Sequence, residues 1–183
     1  MRWDALFADL ESQFVAMQDS GLYGEVADRI RAEMGRITVL DRLRGAVGTV
    51  VRLDLLGGRP VAGELVRVGK DCVLIEAGRT EEWLVPMASV TAVHGLGPWA
   101  DQAEGTVSGR LGLTHLLRGI ARDRSPVTMF CAGAEQAVSG TIDRVGADFL
   151  ELAEHPLDTP RRRGEVSNVR LVPLAAVVAV RRR

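Results

Sequence analysis

Residues 61–71 read VAGELVRVGKD, and residues 138–148 read VSGTIDRVGAD. At a constant offset of 77, Val61, Gly63, Arg67, Val68, Gly69 and Asp71 recur as Val138, Gly140, Arg144, Val145, Gly146 and Asp148. Leu65 becomes Ile142, a conservative change. Outward from this stretch, a second block follows each copy: LVPMASVTAV at 84–93 and LVPLAAVVAV at 171–180. A third block precedes each, Leu43-Arg44-Gly45 and Leu117-Arg118-Gly119. Three blocks in the same order define an internal duplication. The second copy carries ten extra residues ahead of its last block, within 154–168. Insertions between repeated elements map to loops. The expected organisation is therefore a helical segment at 1–39, a first unit at 40–94, a linker at 95–110 rich in glycine with Pro98, and a second unit at 111–183 that contains the insertion.

Within one copy the pattern has the period of strands. Residues 50–55 (VVRLDL) alternate apolar and polar. Leu56-Gly57-Gly58-Arg59-Pro60 is a turn signal. Pro60–Val68 reads as a second strand with Gly63 in its middle, where a glycine marks a bend or a close backbone approach. Cys72–Glu76, Glu82–Val85 and Val90–Val93 follow as three more strands, and Pro86 should end the fourth because it has no N–H for a ladder. Leu40–Val47 reads as a short helix ahead of them. The second copy repeats the order, with a helix at Leu113–Ala121 and strands at Val127–Cys131, Ala137–Val145, Phe149–Leu152, Val169–Val172 and Val177–Val180. A short helix followed by five bent strands predicts a small closed barrel in each copy, in a mainly β fold of the α+β class. Val51, Leu53, Val61, Leu65, Val68, Val73, Ile75, Leu84, Val85, Val90 and their equivalents should form the core.

Helix, five strands, the run G-x-L-x-x-V-G-x-D-x-hydrophobic and then V-P-hydrophobic-x-x-V together resemble the Sm/LSm/Hfq-like small barrel, over both copies. That resemblance implies a protein working in RNA or gene regulation, and the lack of an export signal makes a cytoplasmic one the expectation. The resemblance also implies a homo-oligomer, since such barrels pair edge strands into rings, and two barrels per chain would give six from three chains. The family's base-binding Asp and Asn fall on Gly69 and Val73 in copy one and on Gly146 and Leu150 in copy two, so neither copy retains that loop. Asp71 and Asp148, two residues after those glycines, are expected to cap backbone amides in a tight turn. The opening Met1-Arg2-Trp3-Asp4 is similar to uncharacterised actinobacterial proteins labelled Fis-type regulators. A Fis-type protein needs a C-terminal helix-turn-helix, and this chain reads as strands there.

Ahead of the repeats, Trp3, Phe7, Leu10, Phe14 and Met17 recur at spacings of 4, 3, 4 and 3, one helical stripe. Asp19-Ser20-Gly21 breaks it, and Leu22, Val26, Ile30, Met34 and Ile37 continue a stripe in a second helix. Such a hairpin packs on the first barrel, mediates dimerisation or holds a protein partner through residues 1–37.

The composition limits the chemistry. The chain has 183 residues, 46% hydrophobic and 26% charged, which is globular usage, and no stretch approaches a membrane span. Met1-Arg2-Trp3-Asp4 and the acids that follow do not read as a signal peptide, so Cys72 and Cys131 are expected as reduced thiols. His94, His115 and His155 lack ligand spacing, so no metal and no cofactor are expected. No serine has a nucleophile-elbow context, no phosphate loop is present, and the Glu81-Glu82 pair reads as a solvated loop edge. An enzyme is the weakest hypothesis.

Basic groups remain. Residues 1–104 hold 16 acids and 11 bases, whereas residues 105–183 hold 8 acids and 12 bases. Arg161, Arg162 and Arg163 fall in the insertion, Arg118 and Arg122 share a helix face, and Arg181-Arg182-Arg183 end the chain. The leading functional expectation is nucleic-acid binding, RNA or DNA, with Arg118, Arg122, Arg161, Arg162 and Arg163 on phosphates. Phe130 and Phe149 read as core, so base stacking is not supported and contact should be electrostatic. The alternative is a protein-interaction scaffold that uses the N-terminal hairpin and the barrel edges, its arginines only solubilising.

Overall fold

A computed structural model describes residues 10–13, 29–101, 111–157 and 166–183. The chain divides into two compact units, Met1–Thr38 and Val39–Arg183. In the first, residues 10–13 and 29–34 are helical, and Leu10, Ile30 and Met34 are exposed. The rest of the expected hairpin, including Trp3, Phe7, Phe14, Met17, Leu22 and Val26, lies outside the described residues.

The second unit holds both repeats. Helix α1 (Val39–Arg44) precedes β1 (Val50–Leu55), β2 (Pro60–Val68), β3 (Cys72–Ala77), β4 (Glu81–Pro86) and β5 (Val90–His94). Helix α2 (Leu113–Asp123) precedes β6 (Pro126–Cys131), β7 (Val138–Val145), β8 (Phe149–Glu154), β9 (Asn168–Pro173) and β10 (Val177–Arg182). A 3-10 turn follows the proline that ends β4 and another follows the proline that ends β9. These elements fall where hydrophobic period and turn residues put them.

Their assembly differs from the expected pair of closed barrels. Among the described residues all the strands join one open antiparallel sheet of ten, in the order β5-β1-β2-β3-β4-β10-β6-β7-β8-β9. The physical reason is one ladder. β4 of the first repeat pairs with β10 of the second, Val180 opposite Leu84, Arg181 opposite Trp83 and Arg182 opposite Glu82. The backbone groups of these two strands satisfy each other across the repeats, so neither copy closes on itself.

The side chains follow the ladder. One buried cluster holds the first repeat's core and also takes Phe130, Val178 and Ala179 from the second. The other holds the second repeat's core and takes Cys72 and Leu84 from the first. Because strand side chains alternate sides, Trp83 enters one cluster and Leu84 the other. Most expected core positions are buried, but Val90 is only half-buried and Leu171, the repeat equivalent of Leu84, is 59% exposed.

The two interior strand glycines are sites of close backbone approach. A Cβ on Gly63 would collide with the carbonyl of Glu76, and one on Gly140 with the carbonyl of Ala153. Two to three residues further on, each strand is irregular at the same repeat position, between Leu65 and Arg67 in β2 and between Ile142 and Arg144 in β7. A bulge there increases local twist, and its recurrence makes it a property of the repeated sequence.

Candidate interaction surfaces

The junction between the repeats is the most elaborated part of the molecule. Trp83 on β4 stacks on Phe130 on β6, ring centroids 5.3 Å apart. The Arg59 guanidinium lies 4.4 Å from the Phe130 centroid, and that of Arg181 lies 5.5 Å from Trp83. Such contacts add cation–π attraction to an already buried stack. Ser89, buried, donates to the carbonyl of Val178 at 2.7 Å. Arg182 pairs with Glu82 at 2.6 Å, and Arg183 with Glu81 at 3.1 Å. The terminal arginines therefore have carboxylate partners, and Arg181 and Arg182 are strand residues. Glu81 and Glu82 open β4 and hold the junction, in place of the solvated loop edge that the sequence suggested.

Asp71 has a role that its local sequence did not reveal. Its carboxylate accepts from the backbone N–H of Leu113 at 2.7 Å. The residue at the N-cap position of α2, Gly112, has no side chain to do this, so a residue of the first repeat caps the helix of the second. The neighbouring N–H of Lys70 donates to the carbonyl of Leu111 at 2.9 Å. The expectation of an amide-capping aspartate was close, but the capped amide is 42 residues away. Only the fold brings it there.

The equivalents of these groups at the two ends of the sheet are open. β9, equivalent to β4, has Val169 53% and Leu171 59% exposed, and only Val172 is buried in the strand. β5, equivalent to β10, has Thr91, Ala92 and His94 exposed, whereas β10 has Val177 to Val180 buried. Asp148, equivalent to Asp71, is exposed, and among the described residues its carboxylate has no partner. Val39, which begins α1 as Leu113 begins α2, is 50% exposed.

The arginines singled out in the sequence are dispersed. Arg118 and Arg122 both lie exposed on α2. Arg118 donates to the carbonyl of Gly146 at 3.1 Å, and Arg122 sits 3.8 Å from the Asp123 carboxylate. Arg161, Arg162 and Arg163 lie outside the described residues. Nearby Arg124 and Arg144 face Asp143 at 2.8 Å and Glu151 at 3.6 Å. The surface beside α2 is thus a mixture of both signs.

The titratable and nucleophilic groups do not converge. His94 meets the Asp54 carboxylate at 2.9 Å, and this bond, with one from Arg52, holds the Asp54 carboxyl below its ordinary range. His155 is buried between the Thr141 hydroxyl and the Pro156 carbonyl, each at 2.8 Å, a satisfied interior histidine. Both cysteines are free thiols. Burial first, then the charge of Asp71, pushes Cys72 up to about 12, and burial raises Cys131. Cys72 lines a cavity of about 230 Å³ together with Leu84, Leu116, Ile120 and Val180. The equivalent position in the second repeat is Phe149, whose ring lies against Gly146. Among the described residues no group of three or more His, Cys, Asp or Glu side chains is placed to hold a metal, and no helix is long and apolar enough to cross a membrane. Neither the family models nor the curated proteins include a match to this chain.

Proposed function

We propose that this chain is a non-enzymatic scaffold that works by strand pairing, docking an extended segment of a protein partner on the free edges of its sheet. The observation that supports this best is β9, which ends the sheet with Val169 and Leu171 exposed. Edge strands present a row of unpaired N–H and C=O groups, and proteins usually blunt them with charge or cover them. Here the two outward apolar side chains do the opposite, as a strand-docking surface would. A photo-crosslinking residue at position 171 of the full chain in its native cells should capture a protein. The same residue at exposed Arg79 should not. Absence of any adduct at 171 would refute the reading.

A second reading follows from α2. Arg122 is 85% exposed and Arg118 lies four residues before it on the same helix face, so both guanidiniums are accessible to phosphates. On this reading the chain is a nucleic-acid-associated regulator, its contact electrostatic, with Arg161, Arg162 and Arg163 adding charge from the insertion. Fluorescence anisotropy with a U-rich RNA and a random DNA duplex, titrated at several salt concentrations, tests it. Binding that falls steeply with salt, and less steeply after Arg118→Ala and Arg122→Ala, supports it; no binding at low salt removes it.

A further inference from the structure

We propose that the partner strand is supplied by a second copy of this chain: β9 of one copy pairs with β5 of the next, reproducing between molecules the β4·β10 junction that already exists within one. This rests on the edge reading above and specifies its occupant.

The argument is one of repetition. The last repeated block is offset by 87 residues, so Val180 corresponds to Val93 and Leu84 to Leu171. The register of β4 on β10 therefore transposes to Leu171 opposite Val93, Arg170 opposite His94 and Val169 opposite Gly95. The neighbouring ladders confirm that the two ends are built alike. β10 meets β6 with Val180 opposite Met129 and Ala179 opposite Phe130, and β5 meets β1 with Val93 opposite Leu53 and Ala92 opposite Asp54. Each strand edge needed for a second junction is present, in the same order and with the same neighbour.

Several groups at the first junction have exposed counterparts at the ends. Leu84 is 4% exposed and Leu171 59%. Ala179 is fully buried and Ala92 exposed. Asp71 caps α2 at Leu113; Asp148 is exposed without a partner among the described residues, and Val39 at the start of α1 is half-exposed.

Where the sequence departs from the repeat, the second junction would differ from the first. Trp83 and Phe130, stacked within the chain, are replaced at the free ends by Arg170 and Asp54. The first is a cation on β9 that pairs with Glu154 at 2.6 Å, and the second a carboxylate beside β5 that pairs with His94 and Arg52, so the second junction has no aromatic stack. The pair Glu82 and Arg182 becomes Val169 and Gly95, an apolar contact. A head-to-tail contact of this kind is heterologous, and it closes into a ring or extends as a filament according to the rotation per copy.

The test uses the purified full chain. Two single variants, Val93→Cys and Leu171→Cys, are mixed and oxidised, with the unmodified chain and each variant alone as controls. Disulfide-linked dimers that form only in the mixture support the proposal, because only head-to-tail pairing sets position 93 against position 171. Dimers of Leu171→Cys with itself would mean like edges pair, and they overturn it. In sedimentation velocity the unmodified chain should run above monomer mass and Leu171→Asp at monomer mass, with unchanged circular dichroism. A monomeric unmodified chain, or assembly that Leu171→Asp leaves intact, also overturns it. If the chain is monomeric while the crosslinker at 171 captures a different protein, self-pairing fails and the edge reading survives. If position 171 captures nothing at all, both fail.

Discussion

At the scale of single residues, two side chains are decided by space and solvent. Gly140 sits in the interior of β7, between Val127 on β6 and Glu154 on β8, and has no room for a Cβ beneath the Ala153 carbonyl. Since the obstacle is backbone, Gly140→Ala should destabilise the protein by about 1–3 kcal/mol through overpacking. Urea unfolding should show a lower midpoint at an unchanged slope; an unchanged midpoint would mean the strands part at no cost. Cys72 is held as the neutral thiol. Its folded value of about 12 lies above the model-compound value of 9.0, so its contribution to stability is complete below pH 9 and is lost as pH rises toward 12. At pH 8 an alkylating reagent should leave Cys72 unmodified in the native chain and modify it in urea, as read by peptide mass mapping. Native labelling as fast as denatured labelling would contradict the burial. Gly140 was legible in the sequence as a strand glycine, and Cys72 as a reduced thiol that begins a strand.

At the scale of elements, strand and helix positions follow from hydrophobic period and from Gly and Pro, so they could be read almost residue by residue. β2 runs over Pro60–Val68 as its alternation and flanking turn residues require. What stabilises α2 could not be read this way, because its cap comes from Asp71 in the other repeat. Removing an N-cap carboxylate costs about 1 kcal/mol. Asp71→Ala should therefore lower stability by about that amount, whereas Asp148→Ala, measured on the monomer, should change it little, because that carboxylate has no partner within the chain. Chemical denaturation of the two variants side by side checks this contrast. Equal losses would show that both aspartates act inside their own turns, as the local sequence alone suggests.

At the scale of the whole molecule, the two repeats share their cores. Phe130, Val178 and Ala179 lie in the first cluster and Cys72 and Leu84 in the second, so neither half can open without exposing part of the other. The Val39–Arg183 unit should therefore unfold in a single cooperative step. Hydrogen exchange in rising urea tests this. Amides of β2 and β7 should lose protection at the same denaturant concentration, and two separated steps would show that the repeats are independent domains joined only by backbone.

The sequence by itself determined the duplication, the ten strands with their limits, the two short helices and most of the core. Those features are set by contacts and dihedral preferences within a few residues of each position. Only the tertiary structure decided that the copies fuse into one open sheet, that Trp83 stacks on Phe130, that Asp71 caps a helix of the other repeat and that Leu171 stays exposed where Leu84 is buried. The physical reason is that nearly identical blocks, LVPMASVTAV and LVPLAAVVAV, carry the same local instructions. Whether the first strand of such a block ends inside a ladder or at a free edge depends on which backbone groups find partners, and that is a property of the assembled chain.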